Sequence, residues 1–106
     1  MPRHKLVVLT NATDGQDDAF NRWYDEVHIG DVLKVPGMVD AKRFRLEGGD
    51  GRWRYLALYE MECDDPEAVI AELTSRAGTD AMPLTDALDM ESVYMATATP
   101  LQSAKA

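Results

Sequence analysis

The sequence predicts a single α+β domain with the ferredoxin-like order β-α-β-β-α-β, its four strands forming one antiparallel sheet with both helices on one face. Three observations predict it. Four segments carry strand character, and two of them flank a glycine-rich turn. Two amphipathic stretches of helical period each fall between strands. Finally, 106 residues give one hydrophobic core and no room for a second. The domain is expected over residues 1–100, with 101–106 as a frayed tail.

Leu6-Val7-Val8-Leu9 is a short β-branched apolar run, read as a central strand. Residues 11–15 break it with turn chemistry. A helix is expected from about Gln16, with Asp14 as N-cap and Asp17 and Asp18 at its positive end. Phe20, Trp23 and Val27 form its buried stripe, and Gly30 reads as the C-terminal stop, which puts His28 in the final turn. Residues 29–35 read as a further turn or an irregular extension, and Pro36-Gly37 as a firm break. Residues 38–47 follow as a strand with Arg43 and Arg45 on one face and Phe44 and Leu46 on the other. After a hairpin loop rich in glycine, Trp53, Tyr55, Ala57, Tyr59 and Met61 alternate with Arg54, Leu56, Leu58 and Glu60 along a third strand. Asp65-Pro66-Glu67 starts the second helix, with Val69, Ile70, Leu73 and Ala77 on its apolar face and Gly78 at its end. Residues 79–90 form a longer connection that includes one short helical piece, and 92–97 form the last strand.

A four-stranded sheet with helices on one side leaves the other side bare. That bare face carries either the Trp53/Tyr55/Tyr59 row or the Leu56/Leu58 row, and either is an apolar patch that a partner covers. Two copies packed sheet to sheet about a two-fold axis cover it without any new element, so a homodimer is expected.

Eleven Lys and Arg against nineteen Asp and Glu leave a formal charge of −8. That balance repels phosphate backbones and anionic bilayers, so neither nucleic acid nor membrane is an expected partner. The RNA-recognition modules that share this strand order need a Lys/Arg-Gly-aromatic pattern on their third strand, and residues 52–59 (RWRYLALY) lack it. The single cysteine, Cys63, has no disulfide partner, and the four-residue apolar run 6–9 is too short for a signal peptide core of roughly 7–15 residues. A cytoplasmic protein is expected. No phosphate-cradling loop, zinc-spaced His/Cys set or nucleophile elbow is present, so neither cofactor nor metal is expected.

The segment 20–28 carries the chemistry. Asn21, Tyr24 and His28 are three and four apart and line one edge of the helix, and Asp31 joins them if the backbone stays helical past Gly30. A phenol, an imidazole and a carboxylate around one spot suit acid–base work, with the carboxylate fixing the imidazole tautomer. The competing role for His28 is a helix cap that complements the negative helix end. Arg43 either holds a substrate carboxylate or pairs with surface acids; the row with Tyr55 and Tyr59 either stacks on a flat ligand or belongs to core or interface.

The run 20–37 (FNRWYDEVHIGDVLKVPG), with 41–46 (AKRFRL) and 55–60 (YLALYE), resembles the dimeric α+β barrel superfamily and within it the EthD-like branch. The aromatic pair before Glu-Val-His and the later Val-Pro-Gly carry the resemblance, which departs from the branch's pattern at Gly30, where proline follows the His-Ile pair. The resemblance implies dimerisation through sheet faces and a small molecule held between helix and sheet. It places the helix histidine on His28 and its neighbouring aromatic on Tyr24. The superfamily includes cofactor-free monooxygenases, polyketide cyclases, lactone isomerases, dehydratases and haem-degrading enzymes.

The expected function is therefore a cofactor-independent acid–base enzyme, of isomerase, dehydratase or cyclase type, acting on a small apolar or aromatic catabolic intermediate. His28 is the proton carrier, Tyr24 the oxyanion donor and Asp31 the orienter, with Asn21, Trp23, Arg43, Tyr55 and Tyr59 around the substrate. The alternatives are a cofactor-free monooxygenase, a non-catalytic small-molecule-binding accessory protein, and haem ligation by His28.

Overall fold

The computed structural model describes residues 2–106. Its elements are β1 (Arg3–Thr10), α1 (Asp17–Trp23), a π-helical turn (Tyr24–His28), α2 (Ile29–Leu33), β2 (Met38–Arg45), β3 (Tyr55–Glu62), α3 (Pro66–Arg76) and β4 (Tyr94–Ala98). The strands form one antiparallel sheet in the order β2-β3-β1-β4, the ferredoxin-like arrangement. Central β3 alternates strictly: Tyr55, Ala57, Tyr59 and Met61 are buried under the helices, and Leu56 and Leu58 point the other way.

The first helix differs most from expectation. It begins at Asp17 and has no side-chain cap, so Asp14 is not its N-cap, although Asp17 and Asp18 do sit at its positive end. It also does not stop at Gly30. Helical backbone runs unbroken from α1 through the π-helical turn and α2, to Leu33. Gly30 has no left-handed conformation, and open space surrounds it. The wider turn changes which side chains are buried. In a pure α-helix, each four-residue step overshoots a full turn by about 40°, so Val32 would stand about 120° away from Phe20. One π turn takes more residues per revolution and cancels much of that drift. Phe20, Tyr24 and Val32 therefore share the core, while Val27, expected in the stripe, is exposed.

The chain breaks at Pro36-Gly37 as its sequence predicts. Gly37 has φ +100°, and a Cβ there would lie 2.8 Å from Cγ2 of Val69 on α3. Gly37→Ala is accordingly expected to cost about 1–3 kcal/mol, combining left-handed strain with overpacking, and urea unfolding would measure it. The second helix starts as the Asp65-Pro66 signal requires: Asp65 accepts a hydrogen bond from the Glu67 amide at 3.1 Å and Pro66 occupies the first turn.

The connection from α3 to β4 holds no helix; the short helical piece expected there is replaced by turns and two isolated bridges, Ala77 with Met82 and Ala12 with Leu88. It is tied down by backbone bonds from the amides of Thr13 and Asp89 to the carbonyls of Ala87 and Asn11.

The bare face of the sheet is the leucine row. Leu56 and Leu58 stand opposite Leu9 and Val7 of β1, with Phe44 of β2 and Tyr94 and Ala96 of β4 in the flanking registers. Phe44 and Tyr94 are 44% and 47% exposed, an apolar surface that no element among the described residues covers. Trp53 leaves the aromatic row altogether: it lies before β3, its ring against Tyr94 and its Nε1 donating to the Ser92 carbonyl at 2.5 Å. No helix among the described residues is long and apolar enough to cross a membrane.

Candidate active site

Between the first helix, the β1–β4 half of the sheet, the end of α3 and the 77–93 connection lies a cavity of about 240 Å³. Its walls are mostly apolar, and its polar atoms come from Thr10, Tyr24, His28, Tyr59 and Thr74. The π-helical turn begins at Tyr24 and ends at His28, so the phenol and the imidazole, four residues apart and side by side, bracket the backbone irregularity. Such turns recur at functional sites.

The imidazole of His28 lies parallel to the indole of Trp23, with centroids 4.5 Å apart, and edge-on to the Tyr24 ring at 4.9 Å. Trp23 is itself anchored, its Nε1 donating to the Pro83 carbonyl at 3.2 Å. One indole thus holds both the histidine and the connection that roofs the cavity. The Nδ1 of His28 is buried with no hydrogen-bond partner, and so is Oδ2 of Asp31. Burial drives the His28 pKa from 6.5 to about 4; the nearby Asp31 carboxylate opposes this shift, and the Arg43 guanidinium adds to it. His28 is therefore an uncharged imidazole at neutral pH, with Nε2 as the nitrogen open to a ligand. It sits in mid-helix rather than in a final turn, so it caps no carbonyls.

Tyr59 reaches across from β3 and donates its hydroxyl to that of Tyr24 at 3.1 Å, leaving the Tyr24 proton free for another acceptor. Burial raises the pKa of both phenols, so both stay protonated. Arg43 lies on Tyr24's ring, its guanidinium carbon 4.3 Å from the centroid, and favours the phenolate electrostatically.

The structure thus brings Trp23, Tyr24, His28 and Tyr59 to one cavity. Asp31 stands three residues beyond His28, with Oδ1 3.9 Å from Lys34 Nζ, and makes no hydrogen bond to the imidazole. Asn21, Arg43 and Tyr55 belong to a separate polar cleft beside β2. There Arg43 donates to Asp25 and to Asn21, both at 2.8 Å, while the Tyr55 hydroxyl donates to Asp17 at 2.5 Å. Arg43 takes the acid-pairing alternative. Among the residues missed in the sequence are Thr10, Thr74 and three methionines, Met82, Met90 and Met95; the density of methionine after residue 80 was the only signal, and it pointed to the methionines alone.

No group of three or more His, Cys, Asp or Glu able to hold a metal occurs among the described residues. No family model matches the chain. No curated protein matches it either. Among solved structures it is similar to a protein of Shewanella loihica PV-4 provisionally named a monooxygenase (TM-score 0.66, 9% identity, covering 96% of this chain and 97% of that one). It is also similar to an EthD-family protein of Bacillus halodurans C-125 (TM-score 0.56, 15% identity, covering 93% and 99%). At such identities the likeness speaks for architecture, and it spans nearly the whole of all three chains: this protein has the ferredoxin-like α+β fold of the Shewanella and EthD-family structures.

Proposed function

We propose that the protein is a cofactor-independent proton-transfer enzyme of the EthD-like type, working as a sheet-to-sheet homodimer on a small apolar or aromatic catabolic intermediate. The observation that carries this is an uncharged imidazole, stacked on Trp23 and set beside a free phenolic proton, in the wall of a mostly apolar cavity.

In this mechanism Nε2 of His28 takes a proton from a C–H or O–H of the substrate, and the negative charge that develops on the substrate oxygen is met by the Tyr24 hydroxyl. Two neutral partners become an ion pair in a cavity of low dielectric, so the anion itself raises the imidazole's low proton affinity as it forms. Asp31 assists by favouring the imidazolium. The proton then returns to a different atom for isomerisation, or assists loss of a leaving group or ring closure. Tyr59 holds the Tyr24 oxygen in place through their hydrogen bond.

Turnover of candidate cyclic ketones and phenols by the purified protein tests this. His28→Gln is expected to lower kcat by about 10²–10⁴ and Tyr24→Phe by about 10²–10³, with binding of the substrate largely kept. Full activity in both variants would refute the assignment. The name borne by the Shewanella neighbour favours a second reading, cofactor-free oxygenation begun by the same deprotonation. Stoichiometric O₂ consumption during turnover would select it over isomerisation or dehydration.

A further inference from the structure

Resting on that site, we infer that the cavity selects an uncharged, one-ring molecule bearing a single oxygen function, and that it rejects carboxylates. The first ground is what lines it. Neither Lys, Arg, Asp nor Glu is among the wall residues, and His28, the one titratable cation there, is uncharged at neutral pH. Arg43, the nearest cation to Tyr24, is not part of the wall, and its two ends are already taken by Asp25 and Asn21. A carboxylate entering this space would shed its water and meet no counter-charge, a penalty that affinity cannot absorb.

The second ground is where the polar atoms stand. The hydroxyls of Tyr24 and Tyr59 touch, and His28 abuts Tyr24, so these three form one polar patch in walls built mostly from leucine, valine and methionine side chains, with the hydroxyl-bearing Thr10 and Thr74 as smaller polar additions. That patch matches one carbonyl or hydroxyl at one end of an otherwise apolar body. Met82, Met90 and Met95 supply walls that adapt to the body's shape.

The third ground is volume. A cavity of about 150 Å³ holds benzene. The 240 Å³ here accommodates one ring with a few more atoms, below the range of drug-sized pockets.

The test uses the full chain labelled at its methionine methyls with ¹³C and titrated near neutral pH with acetophenone, benzoate and acetonaphthone. Acetophenone is expected to shift Met82, Met90 and Met95, which line the cavity, and to leave Met38 and Met61, which do not. Benzoate, of nearly the same size, is expected to bind at least about a hundredfold more weakly, and acetonaphthone no more tightly than acetophenone despite its second ring. Benzoate binding as well as acetophenone, tighter binding of the two-ring ketone, shifts confined to Met38 and Met61, or no binding by any of the three would each overturn the inference. None of these readouts needs turnover. Selective acetophenone binding alongside a fully active His28→Gln variant would remove the proton-transfer mechanism and leave the selectivity standing. Benzoate binding alongside an inactive variant would do the reverse.

Discussion

Acidification from pH 6.5 to 4 is expected to remove about 2–3 kcal/mol of folding stability through His28 alone. Between those values the unfolded chain takes up a proton on His28 that the folded chain refuses, because the buried site pushes the imidazole pKa down to about 4. The unfolded state binds more protons there, so stability rises with pH across this window. The penalty is absent above the unfolded pKa and complete below the folded one. Carboxylates titrate nearby, so the measurement is the difference between wild type and His28→Gln in urea midpoints across this range. The variant's curve should lose that component of the acid slope, and parallel curves would refute the burial of an uncharged imidazole. In Asp31→Asn the His28 pKa should fall further, since Asp31 is the group that opposes the shift.

Leu58→Glu is expected to convert the proposed homodimer to monomer, weakening its dissociation constant by more than about a thousandfold. Leu58 lies on central β3, between Val7 of β1 and Lys42 of β2, near the middle of the bare face. Under two-fold symmetry the substitution places two carboxylates in one apolar interface, and each loses water with little to replace it. Lys42 in the adjacent register offers partial pairing on an exposed strand, worth far less than the desolvation. Sedimentation velocity on wild type and variant decides it. A wild type that sediments as monomer, or a variant that stays dimeric, would count against sheet-to-sheet assembly. The His28 cavity lies on the opposite side of the sheet, so ligand binding by the variant should persist.

Much of the architecture was legible because local chemistry and tertiary packing agree. Pro36-Gly37 ends a helix where Val69 of α3 comes within 2.8 Å of the place a Cβ would take, and Asp65-Pro66 opens one in the expected way. The alternation along β3 was readable too, but not its direction: both rows are apolar, and only the position of the helices decides that tyrosines face in and leucines out. The catalytic candidates were found from side-chain type and spacing, yet their setting was not. Gly30 is an ordinary helical residue here because helix propensity costs it only about 1 kcal/mol, which the buried Val32 and Val35 offset. Arg43 and Tyr55 left the site because Asp17, Asp25 and Asn21 offer partners from the helix above them, a pairing between distant segments that no spacing rule encodes.

The π-helical turn between Tyr24 and His28 also bears on how relatives of this chain can be recognised. It is equivalent to one additional residue accommodated inside an otherwise regular helix. Removing a residue there would restore regular winding and leave everything downstream, Asp31 and Val32 included, facing much as it does now, whereas keeping the residue in a regular α-helix would swing that segment by about 100° around the axis. A chain of this fold with a regular first helix would have to present an equivalent imidazole one position earlier. Alignments that force a gapless match across residues 24–28 would then pair His28 with an outward-facing residue and miss the correspondence, so for this segment superposed side chains are a better guide to shared ancestry than matched letters.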